Sequence, residues 1–146
     1  MAKVTNTFHY AASPERVWNM VTDYTALSIV CKKFLRFDGL PEGRIYTGQK
    51  VDVEVSLFGR LPAQPYHMEV VLCDDNAMRF ESKELGAGVK KWNHTLSIEP
   101  DGEGSRLVEQ IKIEAGLLTP LFKLWAGVLY RGRHEPRQEL LASGAY

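Results

Sequence analysis

Two cysteines, Cys31 and Cys73, are too few to staple a chain of 146 residues, and each stands in a mostly apolar stretch where a small buried thiol is the ordinary outcome. Neither has a histidine nearby in sequence, and His9, His67, His94 and His134 are widely scattered, so no metal-ligand spacing or cysteine nucleophile motif exists. No metal and no cofactor are therefore expected. No apolar run approaches the ~20 residues a membrane-spanning helix needs, which speaks against stable membrane insertion. The opening residues MAKVTNTFHY lack the apolar centre of a secretory signal, and the expected compartment is the cytoplasm. Charge of one sign is missing too: 18 basic residues face 18 acidic ones, so no global field draws the chain to nucleic acid. Gly86-Ala87-Gly88 and Gly102-Glu103-Gly104 fall between strands instead of opening a helix, which makes them turns and not phosphate loops. Repeats, linkers and low-complexity segments are absent, and residues 1–146 read as one domain.

What the chain does have is one long amphipathic stretch, Leu117 to Ala142, preceded mostly by strands. Thr119 suits an N-cap and Pro120 a first helical position, where a missing N–H costs nothing. Leu118, Phe122, Trp125 and Leu129, with Leu121 beside them, recur at steps of three and four and define the expected buried face. Arg131, Arg133, His134 and Arg137 are expected at a solvated helix end. Pro136 removes the bond to the Gly132 carbonyl, so a bend or stop is expected near there.

Before that helix, Lys3 to Ala11 alternates as a half-buried edge strand, and Ser13-Pro14-Glu15 gives a cap, a proline and an acid that open a first short helix. Asp23 or Thr22 can cap a second one ending near Cys31. From Phe34 the period changes to two. Strands are expected near Leu35 to Asp38, Ile45 to Leu57, Pro65 to Asp74, Met78 to Leu85, Val89 to Glu99 and Ser105 to Ala115, joined by short turns that make neighbours antiparallel. One face of these strands is apolar, including Val53, Met68, Met78, Phe80, Trp92, Leu107 and Ile111. His94 and Glu109 fall in that inward phase. If residues 100–104 form a hairpin turn, any register that keeps the apolar faces together sets His94 opposite Glu109 or diagonal to it. Gln49, Tyr66 and Ser82 share the phase and add hydrogen-bonding groups.

The order strand, two short helices, six strands and long C-terminal helix, with SPERVWNMVTDY near the start, resembles the START-like or Bet v 1-like superfamily, and within it the polyketide cyclase/dehydrase and lipid transport group. The resemblance spans essentially the whole chain. It implies an α+β helix-grip fold, in which a seven-stranded curved antiparallel sheet wraps the long helix and leaves a cavity between them. Members include lipid and hormone carriers, aromatic cyclases, quinone binders and co-chaperone domains, without a shared catalytic set, so no catalytic residue carries over. The leading expectation is a binder or carrier of a small hydrophobic molecule such as a lipid, polyketide, isoprenoid or quinone. The lining expected from the inward phase is Val53, Tyr66, Met68, Phe80, Trp92, His94, Glu109, Ile111, Phe122, Trp125 and Leu129. An aromatase/cyclase or dehydratase would instead use His94 and Glu109 as an acid/base pair, with protonation tuned by burial. A co-chaperone-like interaction module would need an exposed apolar patch. On the binding reading, Glu109→Gln is expected to weaken ligand affinity while leaving stability nearly unchanged.

Overall fold

The computed structural model describes residues 1–146, and its elements follow the local chemistry closely. Strand β1 (Ala2–Tyr10) leads into α1 (Pro14–Val21) and α2 (Tyr24–Cys31). Ser13 Oγ accepts the Arg16 N–H at the start of α1, and Asp23 Oδ1 accepts the Thr25 N–H at the start of α2, so side chains answer backbone donors that helix ends leave free. Strands β2 (Leu35–Asp38), β3 (Lys50–Leu57), β4 (Gln64–Asp74), β5 (Arg79–Gly86), β6 (Val89–Asp101) and β7 (Gly104–Glu114) follow. All seven strands form one antiparallel sheet in the order β1-β7-β6-β5-β4-β3-β2. The helix-grip architecture is thus present, with a curved sheet folded around the C-terminal helical segment.

Three details differ from the sequence expectations. Ile45 precedes β3 and is held by a backbone bond from its N–H to the Thr22 carbonyl, not by the β3 ladder. Met78 lies in the left-handed region with φ of 52° and belongs to the turn before β5. Thr119 does not cap a helix through its side chain: its hydroxyl accepts the Ala115 N–H and donates to the Gly116 carbonyl, fastening the 3-10 turn Gly116–Leu118 that leads into α3 (Thr119–Arg131).

Helix α4 (His134–Ala142) continues from α3 after a break at Gly132 and Arg133. Pro136 has no N–H to give the Gly132 carbonyl, and the ladder fails where that bond would be. Gly132 is also required sterically, because a Cβ there would stand 2.3 Å from the Phe34 ring. No helix is long and apolar enough to cross a membrane.

The buried face of α3 and α4 is rotated from the one expected. Ala126, Tyr130, Arg133, Arg137 and Leu141 are buried at steps of three and four, whereas Leu118, Leu121 and Leu124 are exposed. The first turns of α3 stand away from the sheet and the later ones press on it. Three apolar clusters result. One joins Val17, Trp18 and Met20 of α1 to Leu96, Ile98 and Leu107 of the sheet. A second sets Ala126, Leu129 and Tyr130 on Trp92, Ile111 and Ile113. The third gathers Val51, Val53, Val55 and Val70 around Tyr24 and Ile45. Fully buried side chains such as Leu107, Ile111 and Ile113 each contribute about 1.5 to 3 kcal/mol by leaving water. Trp92 Nε1 donates to the Tyr130 hydroxyl at 3.0 Å and ties α3 to β6.

Candidate functional site

Between the second and third clusters the packing opens. A cavity of about 550 Å³ lies there, with Leu35, Phe37, Val55, Leu57, Tyr66, Val89 and Trp92 from the sheet on one side and Leu121, Phe122, Trp125, Leu129 and Tyr130 from α3 on the other. Phe58 and Leu61, from the loop after β3, complete its rim, and the Phe58 and Phe34 rings meet Trp125 edge-on at 5.6 and 6.2 Å between centroids. Its size falls within the range of drug-sized ligand sites, and its wall is mainly apolar. Gly86 leaves room for the β4 backbone beside it: a Cβ there would stand 2.4 Å from the Pro65 carbonyl oxygen, and its φ of 123° suits glycine.

A second, smaller space of about 90 Å³ continues inward, bounded by Met20, Met68, Val70, Phe80, Ser82, His94 and Leu96. Phe37, Glu84, Tyr130 and Arg133 line both spaces and so form the neck between them. Behind the neck lies a buried polar cluster. His94 Nε2 donates to Glu109 Oε2 at 3.0 Å, and the two residues are diagonal across the β6–β7 ladder, where His94 pairs with Ile111 and Leu96 with Glu109. Glu109 is 1% exposed, Arg137 4% and Arg133 7%. Burial works to raise the Glu109 carboxyl, but the hydrogen bond from His94 and the charges of Arg137, His94 and Arg133 outweigh it and hold the pKa below the usual carboxylate range. Burial likewise opposes the Arg133 charge, yet Cys31, Tyr130, Glu109 and Glu84 around it raise its pKa above the ordinary value. The Arg133 guanidinium lies over the Tyr130 ring at 4.2 Å. Glu84 accepts the Ser82 hydroxyl at 2.8 Å. Tyr24, which borders the smaller space, donates to Gln49 Oε1 at 2.8 Å, and Gln49 itself lines neither space.

The residues singled out by alternation therefore separate into three groups. Tyr66, Trp92, Phe122, Trp125 and Leu129 line the outer cavity. Met68, Phe80 and His94 line the inner one. Val53, Ile111 and Glu109 line neither: Val53 and Ile111 are packed into the apolar clusters, and Glu109 stands behind His94. Arg133 and Arg137, expected at a solvated end, are buried at the centre of the molecule. The signal for them was present, because continuing the helical steps from Phe122 through Ala126 and Tyr130 lands on Arg133, Arg137 and Leu141. Glu84 was legible in the same way, two residues beyond Ser82 on the inward phase of β5.

The sequence model of the family described as polyketide cyclase/dehydrase and lipid transport matches residues 1–137. No functionally curated protein matches this chain. Among solved structures, Ara h 8.0201 superposes with a TM-score of 0.76 at 11% identity, covering 97% of this chain and 98% of its own. A protein from Chromobacterium violaceum gives 0.75 at 15% identity over 94% and 95% of the two chains. A START superfamily protein from Mycobacterium smegmatis gives 0.72 at 19% identity over 97% of each. At such identities the likeness is one of fold.

Proposed function

The chain belongs to the polyketide cyclase/dehydrase and lipid transport family, and on that premise we propose that it acts as a single domain that binds or carries a small hydrophobic molecule of the lipid, polyketide, isoprenoid or quinone kind. The observation that carries this reading is the apolar cavity of about 550 Å³ between sheet and α3, which ends inward at a neck with hydrogen-bonding groups. An apolar body lies against Trp92, Phe122, Trp125 and Leu129, and a polar end reaches Glu84, Tyr130 and Arg133. Apolar burial supplies the affinity, and the neck sets the orientation. The site of action in this reading is the cytoplasm, which the two unpaired thiols of Cys31 and Cys73 fit.

Binding is favoured over acid/base chemistry by the position of Glu109. A general base must come within reach of the reacting proton, and Glu109 lines neither cavity. Native mass spectrometry of the purified protein, followed by organic extraction, tests the proposal. The expected result is a bound apolar compound, or uptake of one from a panel of lipids, isoprenoids and quinones. A protein that carries none and takes up none overturns it.

A further inference from the structure

Two guanidinium groups are buried in this core, those of Arg133 and Arg137, against one comparably buried carboxylate, that of Glu109. Glu109 already bonds His94. The Arg133 guanidinium has no carboxylate within ion-pair distance: it meets the Cys31 thiol and the Tyr130 ring, and its Nε is buried without a partner. An unpaired buried guanidinium is costly, and it is retained where something completes it. The residue is 93% buried by its 7% exposure, yet it lines both cavities at the neck between them. Glu84 shares that neck but is engaged by Ser82 and pairs with no arginine within ion-pair distance.

We propose that the neck is an anion subsite, with Arg133 as its anchor, and that the molecule held in the outer cavity is a carboxylate-bearing amphiphile. The inference rests on the ligand-binding reading above. A carboxylate matches the planar guanidinium fork and gives Arg133 the ion pair that neither Glu84 nor Glu109 makes with it. A neutral carbonyl or hydroxyl supplies an acceptor without the charge. The inner space of about 90 Å³ has room for a head group but not for a chain, so the hydrocarbon extends outward along Trp92, Phe122 and Trp125.

The test is calorimetric titration of the intact protein with dodecanoate, dodecan-1-ol and methyl dodecanoate at pH 8, each below its aggregation limit. The expected result is that the acid binds roughly 10- to 100-fold more tightly than the alcohol or the ester, the range of a charge-assisted hydrogen bond. Arg133→Met should abolish the preference, so that acid and alcohol bind this variant within about 3-fold of each other. Equal binding of all three probes by the unaltered protein overturns the anion subsite while leaving hydrophobic binding in place, and it needs no variant. Binding of none of them overturns both. An Arg133→Met protein that folds, as judged by circular dichroism, and still prefers the acid also overturns the role of Arg133.

Discussion

Glu109→Gln is the change whose outcome the structure alters most. Read from alternation alone, Glu109 is a pocket residue whose loss spares the fold, but its 1% exposure and its position beside Arg137, Arg133 and His94 reverse that. The substitution keeps the shape and removes the only fully buried negative charge. It weakens a charged hydrogen bond, a contribution of about 1.5 to 3 kcal/mol, and leaves the two buried arginines with only the half-buried Glu84 as a nearby negative charge. Breaking a buried pair in this way costs about 3 to 5 kcal/mol. Urea denaturation at pH 7 should read a loss in that range. The pH dependence follows from the direction of the shift. The folded-state pKa of Glu109 lies below its unfolded value of about 4.3, so its stabilisation is fully present above about pH 4.3 and is lost as pH falls through the folded value. The gap between native and variant proteins should therefore persist at pH 5 and close in more acidic buffer. A loss below about 1 kcal/mol at pH 7, or a gap that does not narrow in acid, refutes the assignment of Glu109 as the buried counter-charge.

Three further outcomes bear on the fold and the cavity. Trp125→Ala should cost about 1 to 3 kcal/mol in thermal or urea denaturation, less than the ~3 to 5 of a fully packed tryptophan, because Trp125 is only half-buried and faces the cavity; a full-sized loss means the cavity is filled by packing. Gly132→Ala should destabilise by about 1 to 3 kcal/mol despite alanine's roughly 1 kcal/mol advantage in helices, since the new Cβ meets the Phe34 ring at 2.3 Å; a stabilised variant in the same assay would show that Phe34 moves aside freely. Leu124→Gln should change stability by no more than about 0.5 kcal/mol, since Leu124 is 66% exposed, and a loss above 2 kcal/mol would mean that this side of α3 is covered.

Local chemistry determined much of this protein by itself. Alternation set the strands and their inward phase, Ser13 and Asp23 set the two helix starts, and Pro136 with Gly132 set the break between α3 and α4, because each depends on contacts within a few residues. The diagonal contact of His94 with Glu109 was legible as well, since one hairpin fixes the register of two adjacent strands. Depth was not legible. Alternation says which side a residue faces, not whether that side meets packed atoms or open space, so Val53 and Trp92 carry the same signal although one is core and the other lines the cavity. Nor does hydrophobicity say how a helix is rotated when leucine occurs around much of its circumference. Leu121 and Leu124 look as apolar as Leu129, and only the docking of Tyr130 on Trp92 turns Leu129 inward, leaves Leu121 at the exposed edge of the cavity and Leu124 outside, and carries Arg133 and Arg137 into the core. That docking joins residues 38 positions apart, and it is a property of the assembled fold and not of either segment.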